Sequence, residues 1–363
     1  MKRFLGFILI LMMFTSIELF AETIIIDPGS GTGWAGATGA IAFFKDELST
    51  SRNMAKIGHQ NKLASGFANA NTYAANSASF AGYEGYDIFA FMWGLSAGAV
   101  MPSDGSVDSD KIKDEKDVDL GAGISSAFNL GINLTNLGLD LLPNRLYMSI
   151  KFFTFSIDGN KGQENEWSYK TTTFGIGLNY QLVDRGGDRF RAFKWTGLSV
   201  GTGFIYNKNK IVFHTKLDEE NYKYDDGGDR YLTFEPNTQF GLDVSTYTIP
   251  IELSTSVRLL WLFNFTLGAG VDMNFGTSKI VAKADSPIYI YNGTPGSGTP
   301  LVGSTNGMVH IDGTTSERPD LLNPKVMFGF GLCLGPIPID ARITYYPGSN
   351  IGLAANIGTG IVW

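Results

Sequence analysis

Two stretches carry the G-x-S-x-G spacing of a nucleophile elbow, "GLSAG" (Gly94–Gly98) and "GLSVG" (Gly197–Gly201). A serine so placed attacks a carbonyl only where a strand turns sharply into a helix and a base can take its proton. Both serines here sit in the middle of alternating segments among small residues, so no hydrolase is expected. Gly31, Gly33 and Gly36 in "TIIIDPGSGTGWAG" have the G-x-G-x-x-G spacing that cradles a pyrophosphate at a helix N-terminus. They follow an export leader and no βαβ unit succeeds them, which argues against nucleotide binding. The histidines, His59, His214 and His310, are far apart, and none has a second ligand at i+2 or i+4. His214 or His310 is where a base would sit if the chain were a hydrolytic barrel. The acidic runs "DGSVDSDKIKDEKD" and "DEENYKYDDGGD" supply oxygen ligands but not the order of an EF-hand loop, and read as solvated loops. A lone cysteine, Cys333, makes neither an internal disulfide nor a thiolate metal cluster. The sequence therefore assigns no catalytic, cofactor-binding or metal-binding residue, and the expectation is a protein that is not an enzyme.

Seven further charges are more informative because of what surrounds them: Asp119, Lys151, Glu252, Arg258, Asp272, Asp340 and Arg342. Each stands on the small or polar side of a run whose other side is apolar. From Phe263 the apolar set is Phe265, Leu267, Ala269, Val271, Met273 and Phe275, opposite Asn264, Thr266, Asp272 and Asn274. Similar runs start near Val118, Thr172, Thr196 and Ile249, and the chain ends on another, "SNIGLAANIGTGIVW". Period two puts neighbours on opposite faces of a strand. The runs span roughly 9 to 16 residues, against ~5–6 for a soluble strand and ~9–11 for a tilted membrane strand. In hydrocarbon every backbone polar group must be paired, so a spanning sheet must close. The expected fold is all-β: a transmembrane antiparallel β-barrel of roughly 12–14 strands, apolar face to lipid, with the seven charges facing the lumen.

Composition agrees. Charged residues are 17% of 363, Gly numbers 45, and aromatics are 13%. A net charge of −7 offers no basic surface for nucleic acid. "MKRFLGFILILMMFTSIELFA" reads as a signal peptide, residues 1–21, cleaved after Ala21. A bacterial outer membrane is the destination that an exported barrel implies. Short connections (Leu141–Arg145, Val183–Phe193, Leu259–Asn264, Gly335–Pro338) alternate with long polar ones (Ser103–Lys116, Gly159–Tyr169, Lys208–Arg230, Thr277–Asn323), as periplasmic turns and extracellular loops do. Trp195, Trp261, Phe190, Phe193, Phe263 and Trp363 gather at the short-turn end, where an aromatic girdle belongs. Outer-membrane lipid is thus an expected partner.

Residues 22–85 break the alternation, being rich in Gly, Ala, Ser and Asn yet carrying Phe43, Phe44 and Phe67. Disordered segments are poor in aromatics. The expectation is a plug or hatch ahead of a barrel of residues 86–363, with Phe43, Phe44 and Phe67 lining a hydrophobic pocket; a short helical periplasmic extension is the alternative.

At "FKWTGLSVGTGFIYN" (Phe193–Asn207) and "YTIPIELSTSVRLLWLFNFTLGAGVDMNFG" (Tyr247–Gly276) the chain resembles spirochaete, especially treponemal, outer-membrane barrels, and through them the long-chain fatty-acid transporter (FadL-type) family. The resemblance implies a lumenal hatch and passive uptake of small hydrophobic molecules such as long-chain fatty acids. The C-terminal strand, with Ile357, Ile361 and Trp363, is similar to the insertion signal read by the barrel-assembly machinery, which it implies as a partner. Two other functions fit the residues: a general porin for hydrophilic solutes, and a structural or adhesive surface barrel acting through its long loops.

Overall fold

The computed structural model describes residues 23–30, 58–77, 88–102, 119–137, 145–159, 165–183, 193–216, 220–225, 229–234, 237–292, 299–300 and 307–363. The expected signal peptide, the Gly31–Gly36 pattern, Phe43 and Phe44 lie outside them.

In chain order the elements are β1 (Thr23–Asp27), α1 (Gly58–Ser77), β2 (Phe89–Met101), β3 (Gly121–Asn133), a 3-10 turn (Thr135–Leu137), β4 (Leu146–Gly159), β5 (Asn165–Val183), β6 (Phe193–Lys216), β7 (Glu220–Asp225), β8 (Asp229–Phe234), β9 (Asn237–Leu259), β10 (Phe263–Asn292), β11 (Thr299–Pro300), β12 (Gly307–Asp312), β13 (Thr315–Glu317), β14 (Leu322–Leu334), β15 (Ile337–Tyr346) and β16 (Ile351–Val362). Ten of them, β2-β3-β4-β5-β6-β9-β10-β14-β15-β16, form an antiparallel ring that β16 closes on β2 from Ile351↔Met101 to Val362↔Ala90. Closure removes the sheet edges that hydrocarbon would not tolerate. The Trp363 carbonyl accepts from the Ile88 and Phe89 amides at 2.7 and 3.1 Å, tying the last residue to the first ring strand.

The expected 12–14 strands fall between the ten of the ring and the sixteen of the whole sheet. The difference comes from Lys208–Arg230 and Thr277–Asn323, expected as long loops. β6 runs on to Lys216 and β10 to Asn292, while β7 and β8 form a hairpin and β11, β12 and β13 lie along β10. Charges on one face of "SKIVAKADSPIYIY" gave it a polar look, but Ile280, Ala282, Ala284, Ile288 and Ile290 are buried on the other. β6, β9 and β10 therefore project past the ring, carrying β8, β12 and, at the far edge, β1.

Burial is inverted within the ring. Phe91, Trp93, Ile124, Phe152, Phe174, Ile176, Leu267 and Ile343 are exposed, while Ser96, Ser125, Asn129, Thr173, Asn207, Thr266 and Asn274 are buried. A soluble protein does the reverse; a membrane barrel requires this arrangement. The inversion ends along β10. Up to Asn274 the inward residues are polar, Phe275 is the last large apolar residue of β10 exposed outward, and from Ile280 the inward residues are apolar save Ser286. Beyond that level the outward face carries cross-strand charges, Lys210–Asp243 at 3.9 Å and Lys283–Asp312 at 3.0 Å. The strands leave the apolar band near Phe275, and the projecting sheet has a water-facing exterior and a dry interior. Tyr247 marks the same level, its ring 5.0 Å from Tyr206 and 5.9 Å from Phe204.

The opposite end has tight turns. Between β9 and β10 both Leu260 (φ 49°) and Trp261 (φ 55°) are left-handed, with Leu262 N–H donating to Leu259 O at 3.1 Å. Two successive left-handed residues make a turn that Asn-Gly normally supplies, here within a three-residue connection between Leu259 and its partner Phe263. Leu and Trp instead project outward, Trp261 71% exposed, as an interfacial anchor would.

Candidate functional site: a helix in the lumen

α1 lies inside the ring and touches β2, β3, β6, β9, β10, β15 and β16. Its sequence, "GHQNKLASGFANANTYAANS", explains how. Alanine is the best helix former and needs little room. Asn is a poor one because its amide competes for backbone groups. In this helix those amides are spent on the wall. Asn71 Nδ2 donates to Thr246 Oγ1 at 3.1 Å, and Asn71 Oδ1 accepts from Asn207 (3.1 Å) and from Asn209. Asn69 Nδ2 donates to Asp320 Oδ2 at 3.0 Å, and its Oδ1 accepts from the Asp320 amide at 2.8 Å. Asn76 donates to Asp272.

On the other side the wall is bare. A Cβ added at Gly98, Gly121 or Gly123 would collide with the α1 backbone, the last at 2.7 Å from Ala70 O. These wall glycines let β2 and β3 lie directly against the helix. A helix C-terminus leaves carbonyls without intrahelical partners; here Ser96 Oγ donates to Ala74 O and Lys151 Nζ to Ala75 O at 3.0 Å. Tyr73 stacks on Tyr346, centroids 3.8 Å apart and planes 12° from parallel.

A charge cluster sits beside the helix. Lys325, 3% exposed, bonds Glu252 and contacts Asp272 Oδ1 at 2.7 Å; Asp272 is 1% exposed. Arg342 acts on Glu252 and Lys151 through space and points Nη1 at Met327 Sδ, 3.9 Å away. Of the seven charges expected in the lumen, Lys151, Glu252, Asp272 and Arg342 are brought together. Asp119 is at the long-loop end, accepting from Asn350 Nδ2 at 2.6 Å. Arg258 and Asp340 lie toward the short-turn end, near Cys333. The sequence reading missed Lys325, the centre of the cluster. Alternation in "LNPKVMFGFGL" puts it with Asn323 and Met327 on the inward face, and that signal was available.

The other expected residues are placed as follows. Phe67 is in α1, half-buried against Ala64, Leu242, Val244 and Ile280. Ile357, Ile361 and Trp363 are exposed on the outward face of β16 and at its end. Ser96 is the helix cap, and Ser199 is buried on the inward face of β6. His310 Nδ1 lies 2.7 Å from Asp285 Oδ1 on the projecting sheet, and His214 pairs with Gln239 across β6 and β9. Among the described residues no group of three or more His, Cys, Asp or Glu is arranged to hold a metal ion.

A family model described as Lsa36-like matches residues 18–363. No curated protein sequence matches the chain. Solved structures similar to it include the translocator domain of the autotransporter NalP from Neisseria meningitidis (9% identity, 90% of this chain and 98% of that one, TM-score 0.27). Others are the Ralstonia pickettii toluene transporter TbuX (9%, 86% and 99%, 0.24) and a Pseudomonas aeruginosa FadL homologue (10%, 84% and 97%, 0.26). At such TM-scores the likeness carries nothing about function.

Proposed function

The chain belongs to the Lsa36-like family, and we propose that it is a plugged surface barrel of a spirochaete outer membrane, presenting its N-terminal strand and projecting sheet to the extracellular side. One observation carries this reading. β1 pairs with β12 from Thr23↔Asp312 to Asp27↔Met308, at the end bearing the long connections, while α1 fills the lumen between that end and the start of β2. The helix runs from Gly66, against Leu120 and Gly121 near the long-loop end, down to Ala74 beside Ser96. With a cleaved leader, the mature chain would begin outside, descend through the lumen and enter the wall from the periplasm. Extracellular macromolecules would then meet the projecting sheet, its loops and β1. The reading gives the chain no catalytic role.

Labelling with a membrane-impermeant maleimide tests it in a Cys333→Ser background. Ser30→Cys should react on intact cells, and Pro336→Cys, in a short turn, only after permeabilisation. The reverse pattern would sink the proposal.

Uptake of small hydrophobic molecules such as long-chain fatty acids is the second reading, with α1 as a movable hatch. Phe67 against Leu242, Val244 and Ile280 is the apolar contact that favours it. The polar lumen below that level disfavours it, because an apolar cargo would strip water from Asn, Ser and Lys side chains without replacing it. Fatty-acid binding that disappears in Phe67→Ala would reverse the order of the two readings. A general porin fits less well than either, since α1 occupies the path.

A further inference from the structure

Glycines on β2 and β3 are filled by the helix. A second glycine patch, on β5 and β6, is not. Gly175, Gly177, Gly201 and Gly203 lie on the inward face of adjoining strands, with Gly177 directly opposite Gly203. No helix backbone lies against these four; added Cβ atoms there would meet neighbouring strands or Ser149 and Asn179 side chains. A partly open hollow of about 50 Å³ for water centres remains between this patch and the C-terminal end of α1. At 10–15 Å³ each, that is room for about three to five waters.

The lining is mixed: Ile205 and Pro250 are among its apolar residues, and its polar groups, of both charges, are Asn76, Asn129, Ser149, Lys151, Asn179 and Glu252. Two of these amides are unspent at their oxygens. Asn76 Oδ1 (2% exposed) and Asn179 Oδ1 (7%) are buried acceptors with no hydrogen-bond partner. A buried acceptor without a donor costs the full desolvation of the group. Lys151, which lines the hollow, gives one of its three Nζ hydrogens to Ala75 O and has two more to donate. The site thus offers acceptors and a carboxylate for a donor-bearing cationic group, and an ammonium for an anionic one. No aromatic ring lines it, so a sugar ring would find no stacking face.

We propose that this hollow binds a small zwitterion, an α-amino acid of about five to seven non-hydrogen atoms, sized by the few waters it would displace. Its ammonium meets Asn76 Oδ1, Asn179 Oδ1 and Glu252, and its carboxylate meets Lys151. The surface reading above is not needed for this, and ligand titration and maleimide labelling fail independently.

The test is calorimetric titration of the refolded full-length protein with glycine, beside acetate, ethylamine and glycerol. Glycine should bind, and each half-molecule and glycerol should bind at least about tenfold more weakly. Gly201→Leu fills the hollow; an added Cβ there meets nothing closer than Asn179 Nδ2 at 3.6 Å. It should abolish binding while the barrel keeps its heat-modifiable gel mobility. Asn179→Ala, which adds no volume, should weaken glycine about tenfold, and it decides the matter if Gly201→Leu does not fold. Absence of glycine binding, binding unchanged in the folded variants, or glycerol or acetate binding equally well would each overturn the proposal.

Discussion

Replacing Lys325 by Met tests whether the lumenal cluster holds the plug. The ammonium contacts two carboxylates, Glu252 and Asp272, and the latter also accepts from Asn76 of α1. Methionine keeps most of the volume and removes only the charge. Two buried carboxylates then face each other without their shared cation. Removing one partner from a buried pair costs about 3–5 kcal/mol, because the remaining charge stays desolvated. With a urea dependence of about 3 kcal/mol per molar, the midpoint of unfolding should fall by about 1–1.7 M. Most of the loss should return in Lys325→Met/Glu252→Gln/Asp272→Asn, since an uncharged set of similar shape has no orphan to hydrate. Tryptophan fluorescence of the protein refolded into detergent follows both. A single variant within about 0.5 kcal/mol of the parent, or a triple variant no better than the single, would refute the reasoning; either result would mean that the carboxylates are hydrated from the lumen.

Four other outcomes are expected. Gly98→Val should force α1 off the wall, because its Cβ would clash with Ala70 O and lie 2.8 Å from Ala74 N; steady channel currents in a planar bilayer, where the parent is quiet, would show it. Tyr73→Ala removes the stack on Tyr346 and should cost about 3–5 kcal/mol, the range for emptying a large aromatic site, read as a lower unfolding midpoint. Leu260→Asn should raise stability by about 1 kcal/mol, since Asn tolerates the left-handed conformation that Leu holds at φ 49°, provided lipid contact at this exposed residue is a smaller term. Asp312 is desolvated slightly, which opposes ionisation, but hydrogen bonds from Thr314 and Lys283 outweigh this and hold its carboxyl below the ordinary range. A depressed carboxyl stabilises above its unfolded pKa and loses that contribution as pH falls through the folded value, so protease nicking of the projecting sheet should increase below about pH 4, and Asp312→Asn should show no such step.

Alternation of side chains fixed most of the fold without help from tertiary structure. In "FNFTLGAGVDMNF" the backbone of a strand admits only two faces, and only lipid rewards apolar residues that point away from the interior. The membrane-length strands and the tight turns at one end were legible for the same reason: each is set by local geometry and membrane thickness. The same parity puts Lys151, Glu252, Asp272 and Arg342 on the inward face, and it would have put Lys325 there too. Three matters were decided elsewhere. Whether a small-residue face is empty or occupied cannot be read from glycine itself: Gly123 receives a helix and Gly177 faces a hollow, and the two look alike in sequence. The cluster around Lys325 joins β9, β10, β14 and α1, and contacts between residues 53 or more positions apart leave no periodic trace. The projecting strands looked like loops because their charged face was counted and their buried face was not. Period two tells which residues share a face. What that face meets, whether lipid, water, a helix or nothing from the chain, is a property of the closed ring.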